Sequence, residues 1–72
     1  MFSPMPRYFF HVKDGDTVLD TVGMELPSVE DAKAEARRVV TMFKRPDPAA
    51  PPASLVVADE SGATVFILTL WT

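Results

Sequence analysis

The chain has 72 residues, 47% of them hydrophobic and 24% charged, with a formal charge of −3 and an isoelectric point near 4.8. That size allows one domain, near the lower bound for folding on a single core, and the acidic balance argues against a general nucleic-acid binder, which needs a dense basic surface. With no cysteine, disulfides and thiolate metal sites are excluded.

Residues 1–5 carry no periodicity and are expected to form a flexible arm ahead of one small domain at 6–72. A second methionine, Met5, offers an alternative start. Arg7 to Val12 concentrates aromatic and β-branched side chains and then stops at Asp14-Gly15, which predicts a strand running into a tight hairpin. Thr17 to Asp20 forms the return strand, Thr21-Val22-Gly23 breaks it, and Met24-Glu25-Leu26 continues in extended form. Ser28 is a good N-cap and Asp31 completes a capping-box-like pair able to satisfy two orphan backbone donors. Val29, Ala32, Ala36, Val39, Val40 and Phe43 make one apolar stripe at helical spacing, and Pro46 ends the helix. Glu30, Asp31 and Glu35 precede Arg37, Arg38, Lys44 and Arg45, a polarity that complements the helix dipole. From 45 to 54 a proline-rich, extended connector is expected. Leu55 to Asp59 is a third strand, Glu60-Ser61-Gly62 a turn, and Ala63 to Trp71 a fourth strand.

This order, β-β-α-β-β, predicts an α+β fold: a four-stranded antiparallel sheet with one helix packed on one face. Alternation puts Tyr8, Phe10 and Val12 on the helix side, with Arg7, Phe9, His11 and Lys13 opposite. In the last strand Phe66, Leu68 and Leu70 share the helix side, yet Val65, Ile67 and Trp71 leave the other face apolar too. One helix covers one face, and contiguous exposed apolar surface marks interfaces. Phe9, His11, Val65, Ile67 and Trp71 are therefore the candidate interface, with a homodimer, or another protein, as the partner. The competing expectation is that the connector and the N-terminal arm fold over that face.

Met5-Pro6-Arg7-Tyr8-Phe9-Phe10-His11-Val12 followed by Asp14-Gly15 resembles the opening of a family of small uncharacterised proteins from rhizobia and related alphaproteobacteria. Gly23 to Pro27, the alanine-rich helix Asp31 to Ala36, and Val57 to Gly62 are similar to its later segments. The resemblance implies a small bacterial domain of unknown function with no assigned catalytic residue. In that family the start would fall at Met5. The proline-rich connector and Met1 to Pro4 depart from its usual pattern.

The sites that chemistry could use are few. His11 is the only histidine, and a transition metal there would need carboxylates as co-ligands. A half-buried strand histidine is the simpler reading. Asp14, Asp16 and Asp20 could imitate a hard-cation loop, but the further oxygen ligands and distal glutamate of a calcium loop are missing, and turn chemistry explains them. Asp59-Glu60 reads as a solvated turn. Arg7 and Lys13 beside an aromatic strand suggest base stacking, without the basic surface that would support it. Arg37, Arg38, Lys44 and Arg45 could touch a phosphate, although complementing the helix dipole explains them better.

No catalytic, cofactor-binding or metal-binding residue is assigned, so a non-enzymatic interaction module without a cofactor is expected. Two other functions stand beside it. The order hairpin, extended segment, proline, then alanine-rich helix vaguely resembles HicB-like antitoxins, which implies a regulatory protein with a toxin-like partner. A small-ligand binder would use His11 with Asp14 or Asp16. Tyr8 to Val12 is too short for a signal-peptide core, and Ala63 to Trp71 is half the ~20 residues of a spanning helix, so the expected location is the cytoplasm and not a membrane.

Overall fold

The aromatic run Arg7–Lys13 forms strand β1, and in the computed structural model, which describes residues 5–72, it lies inside the sheet rather than at an edge. Of the expected N-terminal arm, residues 1–4 fall outside the described residues. The remaining elements are β2 (Thr17–Val18), β3 (Met24–Glu25), α1 (Val29–Val40), β4 (Ala53–Ala58) and β5 (Thr64–Trp71). All strand pairs are antiparallel, in the order β2-β1-β4-β5, with β3 also pairing β1. The fold is α+β with one helix, as the element order implies, but the sheet has 5 strands where four were expected.

The extra strand comes from the return arm of the first hairpin. Lys13 pairs Thr17 and Val12 pairs Val18, after which the chain leaves β1 and rejoins it only where Tyr8 pairs Met24 and Arg7 pairs Glu25. Two short strands thus flank opposite ends of β1 and leave a gap along its middle. On its other side β1 runs against β4, with Phe10 opposite Val57 and Val12 opposite Leu55. β4 begins at Ala53 and ends at Ala58, so the end of the expected connector belongs to the sheet. The connector is not extended throughout either: Ala50 N–H donates to the Asp47 carbonyl at 3.1 Å and Ala49 N–H to its carboxylate at 2.8 Å, closing a turn.

Helix α1 starts where the cap places it. Ser28 Oγ accepts the Asp31 N–H at 3.4 Å and donates to Asp31 Oδ2 at 2.8 Å. Asp31 therefore takes the Ser28 hydroxyl instead of its backbone N–H, and the pair satisfies one orphan backbone donor where two were expected. The helix stops at Val40, well before Pro46. Its last two residues, Val39 and Val40, and the C-cap Thr41 are all β-branched and poor helix formers. Thr41 Oγ1 donates to the Arg38 carbonyl at 2.7 Å, and Met42 N–H to Val39 O at 2.9 Å tightens the final turn. Phe43 consequently leaves the apolar stripe and is exposed, and Lys44 and Arg45 lie beyond the helix.

The core forms between α1 and one face of the sheet. Tyr8, Ala32, Ala36, Leu55 and Val57 are buried, with Phe10, Val12, Phe66, Leu68 and Leu70 packed against them. Ala32 and Ala36 present only methyl groups, so the helix can lie close to β4. Lys33 Nζ and the Arg37 guanidinium sit 5.4 and 5.5 Å from the centre of the Phe66 ring, cations over a π face that close the core toward β5.

Candidate functional site

Between its two short partners, the middle of β1 is closed by a side chain. Asp20 Oδ2 accepts the Phe10 N–H at 3.2 Å, while Oδ1 accepts those of Val22 and Gly23, each at 3.0 Å. The Asp20 N–H in turn donates to His11 Nδ1 at 3.0 Å, which places the proton of the neutral ring on Nε2. Burial raises the Asp20 pKa, but the hydrogen bonds from the Gly23, Val22 and Phe10 N–H groups outweigh it, so the carboxyl lies below its ordinary value. Asp20 thus fills the place of a missing edge residue. Its carboxylate oxygens, considered above for a cation loop, are taken up by backbone N–H groups.

Gly23 closes the same loop. Its φ is +73°, and a Cβ there would lie 2.8 Å from the Tyr8 carbonyl and 2.9 Å from Phe9 Cε1. The loop therefore lies directly on the aromatic strand. Arg7 Nη1 donates to the Val22 carbonyl at 2.8 Å, and Arg7 N–H donates to Glu60 Oε1 at 2.9 Å, tying the two hairpins together. In the second hairpin Asp59 Oδ1 accepts the Ser61 hydroxyl and backbone N–H and the Ala63 N–H, at 2.6, 2.9 and 3.1 Å. These bonds hold the Asp59 pKa down against a smaller desolvation effect, with the Ser61 hydroxyl the largest cause. Asp59 organises a turn.

Away from the helix, register lines up His11, Val56 and Ile67 across β1, β4 and β5. Phe9 stacks on His11, with ring centres 6.3 Å apart and planes 6° from parallel. In this row His11 and Val56 are half-buried, as is Phe9, while Ile67 is 58% exposed. At the β1 side the loop around Gly23 covers Phe9.

The other two candidate interface residues stand elsewhere. Ala58 pairs Thr64 and Val57 pairs Phe66, so Val65 occupies a bulge. There it packs against the core cluster. A second irregularity lies between Ala53 and Ser54, where Ala53 pairs Trp71, and the Trp71 indole N–H donates to the Pro51 carbonyl at 2.7 Å. Strict alternation along β5 misses both shifts of phase. Sequence reasoning also missed the exposed apolar side chains Val18, Leu19 and Val22 beside Asp20. An aspartate set among apolar residues in a turn-like segment is the signal that could have marked that loop.

Among the described residues no group of three or more His, Asp or Glu side chains gathers around one point and no cavity opens. No helix among them is long and apolar enough to cross a membrane.

The fold is that of a small one-helix α+β sheet domain, with the helix packed on one face of the sheet. Residues 7–71 match a family described as a domain of unknown function, DUF6894, and the chain belongs to that family. No curated protein and no solved structure matches the chain.

Proposed function

We propose that the domain is a non-enzymatic interaction module that self-associates through the part of the sheet its helix leaves uncovered. The observation that carries this reading is Ile67, 58% exposed at the outer end of the row His11–Val56–Ile67. A large exposed aliphatic side chain beside Val56 gains by burial against a partner, at ~25 cal/mol per Å² removed from water. His11 supports the same reading, since its Nδ1 is engaged with the Asp20 backbone and its ring with Phe9. Both contacts build the surface.

The test is the solution mass by light scattering over a wide concentration range. The expected result is a dimer for the native chain and a folded monomer for Ile67→Lys. A native chain that stays monomeric at the highest concentration overturns the proposal.

A further inference from the structure

We propose that β5 pairs antiparallel with β5 of a second copy, about a two-fold axis passing through Leu68. This rests on the interaction reading above and specifies its geometry. The two edges of the sheet are treated differently. On the β1 side, β2, β3 and the Asp20 carboxylate close the edge. On the other side β5 ends the strand order among the described residues. It is eight residues long, Thr-Val-Phe-Ile-Leu-Thr-Leu-Trp, without a charge or a proline. Protein edges ordinarily carry lysine, proline or a covering loop because a bare apolar edge is a template for pairing.

The backbone decides which residues of β5 can pair outward. In an antiparallel ladder, alternate residues direct both their N–H and C=O to the same neighbour. Phe10 N–H points to Asp20 at the β1 edge, so Phe9 and His11 face β4. Their partners Ala58 and Val56 then face β1, and Val57 and Leu55 face β5. Phe66 and Leu68, which pair with Val57 and Leu55, therefore face β4. Ile67 and Thr69 direct their backbone groups outward. Both lie in the regular stretch between the two bulges, and both are exposed.

An axis through Leu68 places Ile67 of each copy opposite Thr69 of the other, and each such pair exchanges both backbone bonds. Leu68 then meets its own counterpart and Phe66 meets Leu70, apolar against apolar on the helix side. Since β5 has no charged residue, no like charges are brought together along it. The result is one continuous sheet with both helices on the same side, and the two bare faces merge around the Ile67 side chains.

Thr69→Pro tests the pairing directly, because it removes an outward N–H and leaves the ladder to β4 intact. The expected outcome is a folded monomer from a dimeric parent. The chain lacks cysteine, so single cysteines report the register even if that variant folds poorly. Leu68→Cys should form an intermolecular disulfide under mild oxidation, since closely paired residues stand about 4.5 Å apart between Cα atoms. Thr69→Cys should not, its counterpart lying roughly 8 Å away. A dimer that survives Thr69→Pro but weakens tenfold or more in Val56→Thr overturns the edge pairing and leaves self-association through the bare face standing. Crosslinking of Thr69→Cys in preference to Leu68→Cys overturns the register. A native chain that stays monomeric overturns both proposals.

Discussion

The Asp20 carboxylate accepts the backbone N–H of Phe10 across a gap in the sheet, 3.2 Å from nitrogen to oxygen. A side chain stands there in place of a strand. The bond joins the loop that covers Phe9 to the strand that carries the core residue Tyr8, so the loop and the sheet share a fastening. Because the same carboxylate holds Val22 and Gly23, its loss frees the whole segment between β2 and β3.

Asp20→Ala should therefore cost about 2 kcal/mol in urea unfolding, on the order of what removing a charged acceptor from several backbone donors costs. Asp20→Asn retains an acceptor oxygen and should lose about half as much. If both variants unfold like the parent, Asp20 does not fasten the loop.

The same group sets a pH dependence. The Asp20 and Asp59 carboxyls lie below their ordinary values in the folded chain. A group whose folded pKa is depressed binds fewer protons folded than unfolded, so its contribution is complete above the unfolded value and is lost as pH falls through the folded one. Through these two carboxylates stability should decline below about pH 4, where unfolded carboxylates titrate. Asp20→Asn should flatten part of that decline in a series of melts. A parent more stable at pH 3 than at pH 6 contradicts this assignment.

How much of this is visible in the sequence depends on whether the cause is local. The alternation of Tyr8, Phe10 and Val12 against Phe9 and His11 places the core correctly, as does that of Phe66, Leu68 and Leu70. Ser28 marks the helix start because a cap acts within one turn. The helix end is harder to see. The stripe continues in register to Phe43, but local β-branching and the Thr41 back-bond stop the helix at Val40. Val65 is misplaced by strict alternation because a bulge shifts the phase of one strand only against its neighbour. Asp20 is least legible of all, since its partner Phe10 is set by tertiary pairing and not by spacing.

Two glycines separate backbone strain from crowding. Gly23 and Gly62 have φ of +73° and +89°, but a Cβ at Gly62 would meet nothing within 4 Å, whereas at Gly23 it would press on the Tyr8 carbonyl and the Phe9 ring. Gly62→Ala should cost about 1 kcal/mol, the conformational cost alone. Gly23→Ala adds displacement of backbone and should cost about 3 kcal/mol, at the upper end for a strained site. Thermal melts compare the two. Equal losses would mean that the loop can lift from Phe9 without penalty.

Val57 and Ile67 distinguish the face that folds the chain from the face proposed to meet a partner. Val57 is fully buried between β4 and α1, and Ile67 is 58% exposed one strand away on the opposite side. Removing the two methyl groups of Val57 in Val57→Ala leaves a cavity and forfeits apolar transfer energy, together about 2–3 kcal/mol. Ile67→Thr keeps a β-branched side chain on an exposed position and should change the stability of the isolated fold by less than about 0.5 kcal/mol. In association the order should reverse. Sedimentation or light scattering at a concentration where each variant is folded should show native-like self-association for Val57→Ala and a weakened dimer for Ile67→Thr. If Ile67→Thr self-associates as strongly as the parent, the exposed row His11–Val56–Ile67 is ordinary surface.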